Sequence, residues 1–134
     1  MARPTDSNPT GLELEILKIL WQSSPLTVSE IREHLARAGR KSAHTSVITM
    51  LNIMVDKGFL DKQKDGRWYQ YWPIVDQQGV TGKMLNDLVD RAFDGSPRLM
   101  MLNLLESRDE LDEEELLQLR QLINKKVREQ RGGA

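Results

Sequence analysis

Two capping boxes set where the first two helices of this chain begin. Thr10-Gly11-Leu12-Glu13 and Thr27-Val28-Ser29-Glu30 each place a threonine three residues ahead of a glutamate. In that pattern each side chain bonds the other residue's backbone N–H, so the helix start is satisfied locally. Leu12, Ile16, Ile19 and Leu20 then recur at helical spacing and Trp21 closes the run, which predicts a helix over 11–21. Gln22 to Leu26 reads as a loop containing Pro25. Val28, Ile31 and Leu35 give the stripe of a second helix over 28–38, with Gly39 as its stop. Ser42 is the expected N-cap of a third helix over 43–57, striped by Val47, Leu51, Met54 and Val55 and stopped by Gly58.

A hairpin comes next. Phe59 to Lys64 leads into Asp65-Gly66, a tight-turn signal, and Arg67-Trp68-Tyr69-Gln70-Tyr71-Trp72 has strand propensity until Pro73. The alternation of Trp68, Tyr69, Tyr71 and Trp72 points to hairpin and core packing. Beyond it the pattern is helical again. Met84, Leu85, Leu88, Val89, Ala92 and Phe93 predict a helix over 78–93. Ser96 caps a fifth helix over 97–106 with Pro97 at its first position, and Asp112 opens a sixth over 113–130. That last helix begins acidic and carries Lys125, Lys126 and Arg128 near its end, as the helix dipole favours, before a Gly132-Gly133 tail.

The expected fold is mainly α with a small β hairpin. Residues 1–75 form an N-terminal winged helix-turn-helix and residues 76–134 a C-terminal helical dimerisation region. In such an arrangement the third helix lies in a DNA major groove and the hairpin reaches phosphates beside it. The third helix opens with Ser42, His44, Thr45, Ser46 and Thr49, small polar groups suited to base edges and phosphates. Thr45 and Thr49 share a face. The same residues are also consistent with plain capping chemistry on a solvated helix. Lys62, Lys64 and Arg67 flank the hairpin turn and suit phosphate contact; edge-strand protection is the plainer reading.

Charge bears on that choice. The net charge is −1, mild evidence against a nucleic-acid binder, but it is unevenly spread. Residues 1–75 carry ten Lys and Arg against eight Asp and Glu, a net of +2; residues 76–134 carry nine against twelve, a net of −3. The chain has no cysteine, which excludes disulfides, thiolate metal sites and cysteine nucleophiles. With two histidines, His34 and His44, no metal or cofactor is expected. The acidic run Asp109 to Glu115 reads as a solvated helix start, and no catalytic constellation or phosphate loop can be assembled. Met1 to Thr10 is polar, without an apolar signal region, and there is no apolar run long enough to span a bilayer, so a soluble cytoplasmic protein is expected.

The second half is rich in apolar stripes: Leu85, Leu88, Phe93, Leu99, Met100, Leu102, Leu105, Leu116, Leu119, Leu122 and Ile123. Three helices of this size cannot bury them alone, which predicts a twofold homodimer and a palindromic target. The alternative is a winged-helix protein-interaction module that does not bind DNA.

The chain resembles the penicillinase repressor and methicillin-resistance regulator family of winged-helix repressors over roughly residues 10–128. Leu12-Glu13-Leu14-Glu15-Ile16 through Leu20-Trp21 is similar to its first helix, and Ala43-His44-Thr45-Ser46-Val47-Ile48-Thr49-Met50-Leu51 to its recognition helix. Lys57-Gly58-Phe59-Leu60, Gly66-Arg67 and Tyr71-Trp72-Pro73 are similar to its wing. Phe93-Asp94-Gly95-Ser96 and Leu102-Asn103-Leu104-Leu105-Glu106 are similar to its dimerisation region. The resemblance implies dimeric repression of β-lactam resistance genes at a double-stranded operator. It also implies release by cleavage near Asn103–Leu104 once a membrane-linked sensor protease fires. Two departures stand out. Ile53 occupies a place late in the third helix where the family usually has arginine, and the cysteine cluster of copper-sensing members is missing.

Overall fold

The computed structural model describes residues 7–107 and 109–132. Of the sequence expectations, those for residues 1–6 and for Gly133 lie outside the described residues. The element order is α1 (Gly11–Gln22), β1 (Leu26–Thr27), α2 (Val28–Arg37), α3 (His44–Lys57), β2 (Leu60–Asp65), β3 (Trp68–Pro73), α4 (Gln77–Ala92), α5 (Pro97–Ser107) and α6 (Glu113–Gly132). Three helices followed by a strand hairpin, with a short strand before α2 completing the sheet, is the winged helix-turn-helix fold.

Both capping boxes form. Thr10 N donates to Glu13 Oε1 at 2.8 Å, and Thr27 N donates to Glu30 Oε1 at 2.9 Å. α3 differs from expectation. Its N-cap is Ala43, not Ser42, and no side chain caps it. The Ser42 carbonyl instead accepts from Arg32 Nε at 3.1 Å, which ties the α2–α3 connector back onto α2. Gly58 closes α3 at a φ of 87°, where a side chain would be strained. Phe59 N donates to the Met54 carbonyl and Gly58 N to that of Val55, a Schellman close.

The segment read as a loop before α2 contains a strand. Leu26 and Thr27 pair with Tyr71 and Gln70, so the sheet has three strands in the order β1-β3-β2. Two residues carry no periodic signal, and only the presence of β3 makes them a strand. The hairpin loop is Gly66-Arg67, not Asp65-Gly66, because Asp65 still pairs with Trp68. Gly66 has a φ of 63° and Arg67 does not share it, so the loop follows the type II′ rule of glycine at the first central position.

The unit ending at Asp87 holds the main core. Ile16, Leu17, Leu20, Ile31, Leu35, Leu51, Met54, Leu60 and Tyr71 are almost wholly buried there. Leu17 and Leu60 escaped the periodic reading, whereas Ile19, Trp21 and Val55 are only partly buried. Trp21 Nε1 donates to the Val75 carbonyl at 2.9 Å and fastens the chain after β3 to α1. Asn8 donates to Asp87 Oδ2 at 2.8 Å, fixing the lead-in to α1 on α4.

Glu13 does more than cap α1. It is 1% exposed, and both its carboxylate oxygens take bonds from Lys57 Nζ, at 3.1 and 2.8 Å. This pair pins the end of α3 to the start of α1. Arg40 Nε adds a second tie, 2.6 Å from Glu15 Oε2, between the α2–α3 connector and α1.

The unit from Leu88 onward contains α5 and α6. Ser96 Oγ accepts from Leu99 N and Asp112 opens α6, as the sequence indicates; Glu115 completes a capping box with Asp112. α6 runs on to Gly132, so that residue is helical and not part of a tail. Met100 is the only buried residue of α5, and α6 buries none among the described residues.

Candidate nucleic-acid interface

Packing orients α3. Val47, Leu51 and Met54 face the core, so the positions between them turn outward. Thr45, Ser46 and Thr49 are exposed, and Ser42 and His44 are half-buried. Thr49 Oγ1 donates to the Thr45 carbonyl at 2.9 Å. That hydroxyl proton is spent inside the helix, which leaves Thr49 an acceptor oxygen and a methyl to offer a ligand. Ile53, one turn further on, is 40% exposed. No side chain caps the start of α3, and a helix N-terminus is a setting that favours phosphate.

The wing stands beside this helix. Lys64 and Arg67 are exposed, and Lys62 is half-buried. Lys62 Nζ donates to Asn52 Oδ1 of α3 at 3.1 Å and lies 4.7 Å from the centre of the Tyr69 ring. A groove of about 300 Å³ is lined by His44, Ile48 and Asn52 of α3, by Val28 and Ser29 of α2, and by Lys62, Arg67, Trp68, Tyr69 and Tyr71. The start of the third helix and the cationic hairpin tip therefore share one depression. A neighbouring groove of about 660 Å³ holds Arg32, Lys41, Ser42 and Ala43 just ahead of α3.

The aromatic residues of the wing pack only in part: Trp72 is half-buried at the base beside Tyr71. Tyr71 alone is buried; Trp68 is 57% and Tyr69 43% exposed. Strand alternation supplies two faces, but the core covers only the base of this hairpin, so the tip residues stay in water whichever way they point. Burial, and then the charge of Tyr69, pushes the Tyr71 hydroxyl above its ordinary pKa. Sequence reasoning missed Asn52, Ile48 and the exposed aromatics as groove residues. Asn52 was findable, since it follows His44 and Ile48 at four-residue steps along one helix face.

The leucines and the isoleucine expected at a dimer contact belong to α4, α5 and α6. Leu85, Leu88, Leu99, Leu102, Leu105, Leu119, Leu122 and Ile123 are each between 38% and 55% exposed, and Phe93 is half-buried. Met100 differs from its neighbours in being buried. Met101, Leu104, Leu116, Leu117 and Val127 extend the exposed apolar surface. Asn103 and Leu104 sit inside α5, exposed, and the Asn103 carbonyl accepts from Ser107 Oγ at 2.6 Å. Among the described residues no group of His, Asp and Glu could hold a metal ion. No helix among them is long and apolar enough to cross a membrane.

The profile of the penicillinase repressor family matches residues 9–125. The chain belongs to that family. The penicillinase repressor of Bacillus licheniformis is 32% identical over 111 residues, which cover 83% of this chain and 85% of that protein. The methicillin resistance regulatory protein MecI of Staphylococcus aureus (strain N315) is 27% identical over 117 residues, 87% of this chain and 94% of MecI. Among solved structures, the DNA-binding domain of the repressor BlaI aligns at 27% identity with a TM-score of 0.49, covering 57% of this chain and 90% of that domain. Members of the penicillinase repressor family are transcriptional repressors, not enzymes.

Proposed function

We propose that this chain is a sequence-specific DNA-binding transcriptional repressor that acts in the cytoplasm as a homodimer on palindromic operators. The observation that carries this reading is the shared groove: His44 at the start of α3 and Lys62 and Arg67 of the wing line one depression. Thr45, Ser46 and Thr49 are exposed on the same helix. In this reading α3 enters the major groove, its threonines touch base edges and thymine methyls, and Lys64 and Arg67 hold phosphates. The exposed leucines of α4, α5 and α6 support pairing with a second copy, which brings two reading helices to half-sites about one DNA turn apart.

The relatives are named for penicillinase repression and methicillin resistance, which supports β-lactam resistance genes as targets. Release by a membrane-linked sensor protease cutting at Asn103–Leu104 fits the exposure of that bond. Because the bond lies within a helical turn, α5 has to unwind locally before a protease can bind it extended.

A second reading, a protein-interaction module, draws on the exposed Trp68 and Tyr69 and on the net charge of −1. Selection of bound duplexes from a random pool separates the two. The repressor reading expects enrichment of a twofold-symmetric site; a pool that stays random, together with flow-through on a DNA column at low salt, refutes it.

A further inference from the structure

We infer that Lys62 is a positioning residue that latches the wing to α3, and that it is not one of the phosphate ligands. The inference rests on the DNA-binding reading above and divides the work within that site. In the β2–β3 ladder Lys62 stands opposite Tyr71 and Lys64 opposite Tyr69. Directly opposed residues share a sheet face, so all four occupy one side of the hairpin.

Their surroundings differ along that face. Tyr71 is buried at the base, whereas Lys64 is exposed near the tip. Lys62, between them in depth, is half-buried. It turns its ammonium onto Asn52 Oδ1 at 3.1 Å and over the Tyr69 ring, 4.7 Å from its centre. An amide oxygen and an aromatic face both attract a cation without cancelling its charge. Lys62 can therefore bridge the wing and α3 while the groove stays positive, which a carboxylate at position 52 would prevent.

The bridge has a geometric consequence. His44, Ile48 and Asn52 follow one another along one face of α3, and all three line the groove. Fixing Asn52 to the wing fixes the distance from the hairpin tip to the opening turn of α3. Arg67 and Lys64 are then held at a set offset from Thr45 and Thr49. A phosphate ligand adds about 0.9 to the slope of log affinity against log salt, wherever on DNA the protein sits. A latch adds nothing to that slope, and its benefit appears only when both helix and wing must fit one site.

The test is a set of salt titrations of the full chain on its selected duplex and on an unrelated duplex. Arg67→Ala is expected to lower the slope by about 0.9 and to weaken both duplexes alike. Lys62→Met is expected to leave the slope unchanged and to weaken the selected duplex by roughly tenfold, with little change on the other. Asn52→Ala should give a similar loss, and the double variant should be no worse than either alone. A Lys62→Met slope that falls as far as that of Arg67→Ala, or losses that simply add, overturns the latch. If Lys62→Met fails to fold, Lys62→Gln, which also removes the charge, is read in the same titrations beside Asn52→Ala. A native chain with no salt-dependent affinity for any duplex instead removes the DNA-binding reading itself, and the latch with it.

Discussion

Lys57→Met should destabilise this protein more than Glu13→Gln does, although the two substitutions break the same ion pair. The Glu13 carboxylate is 1% exposed and takes bonds from Lys57 Nζ and Thr10 N. The Lys57 side chain is 32% exposed. Removing one partner of a fully buried pair costs about 3–5 kcal/mol, and exposed pairs contribute about 0–1 kcal/mol. With one end reachable by water, Lys57→Met should cost about 2 kcal/mol, because a buried carboxylate is left with a single backbone donor. Glu13→Gln keeps an acceptor for Thr10 N and frees the ammonium to swing into solvent, so it should cost about 1 kcal/mol. The double variant should cost about 1 kcal/mol, since it strands no charge, against about 3 kcal/mol if the two were independent. Urea unfolding at one fixed protein concentration, followed by tryptophan emission, measures all four species. Equal costs, a larger cost for Glu13→Gln, or additive losses would refute this account of how α3 is held.

Thr45→Ala should cost about 1 kcal/mol of sequence-specific affinity, read by titration against the selected and a scrambled duplex. Thr49 spends its hydroxyl proton on the Thr45 carbonyl, so its methyl should matter more. Replacing thymine by uracil in the half-site should weaken the native protein and leave Thr49→Ser less affected, and equal losses would contradict this. Leu122→Glu with Ile123→Glu should shift the chain to single-copy mass in sedimentation while tryptophan emission of the N-terminal unit is retained. An unchanged mass would remove α6 from the dimer contact. The raised pKa of Tyr71 means that the unfolded chain loses its phenolic proton first, near pH 10. Stability should therefore be insensitive to this group below that pH and fall above it. Tyr71→Phe should show a shallower decline in alkaline urea titrations, and parallel curves would count against the burial argument.

The starts of α1, α2, α5 and α6 and the stop of α3 were legible in the residues because they are settled within a few positions, whereas the start of α3 and the exact hairpin turn were not. Thr10 and Thr27 meet glutamates three residues on, Gly58 adopts a left-handed conformation that its missing side chain makes free of strain, and Ser96 and Asp112 cap α5 and α6. The exposed threonines of α3 and the cations of the wing were legible too, since an apolar stripe implies its opposite face. The features that the residues could not disclose depend on partners distant in the chain. Leu26 and Thr27 are a strand only because β3 lies beside them. Glu13 looked like a cap, and only the arrival of Lys57 from the far end of α3 makes it a buried ion pair. Lys62 looked like Lys64, and only the tertiary arrangement sets one against Asn52 and leaves the other in water. Trp68 and Tyr69 have the composition of a core, yet the sheet carries them past the edge of the one that forms. Local bonding is written in neighbouring residues, whereas burial and charge pairing are decided by whichever surface the folded chain brings alongside.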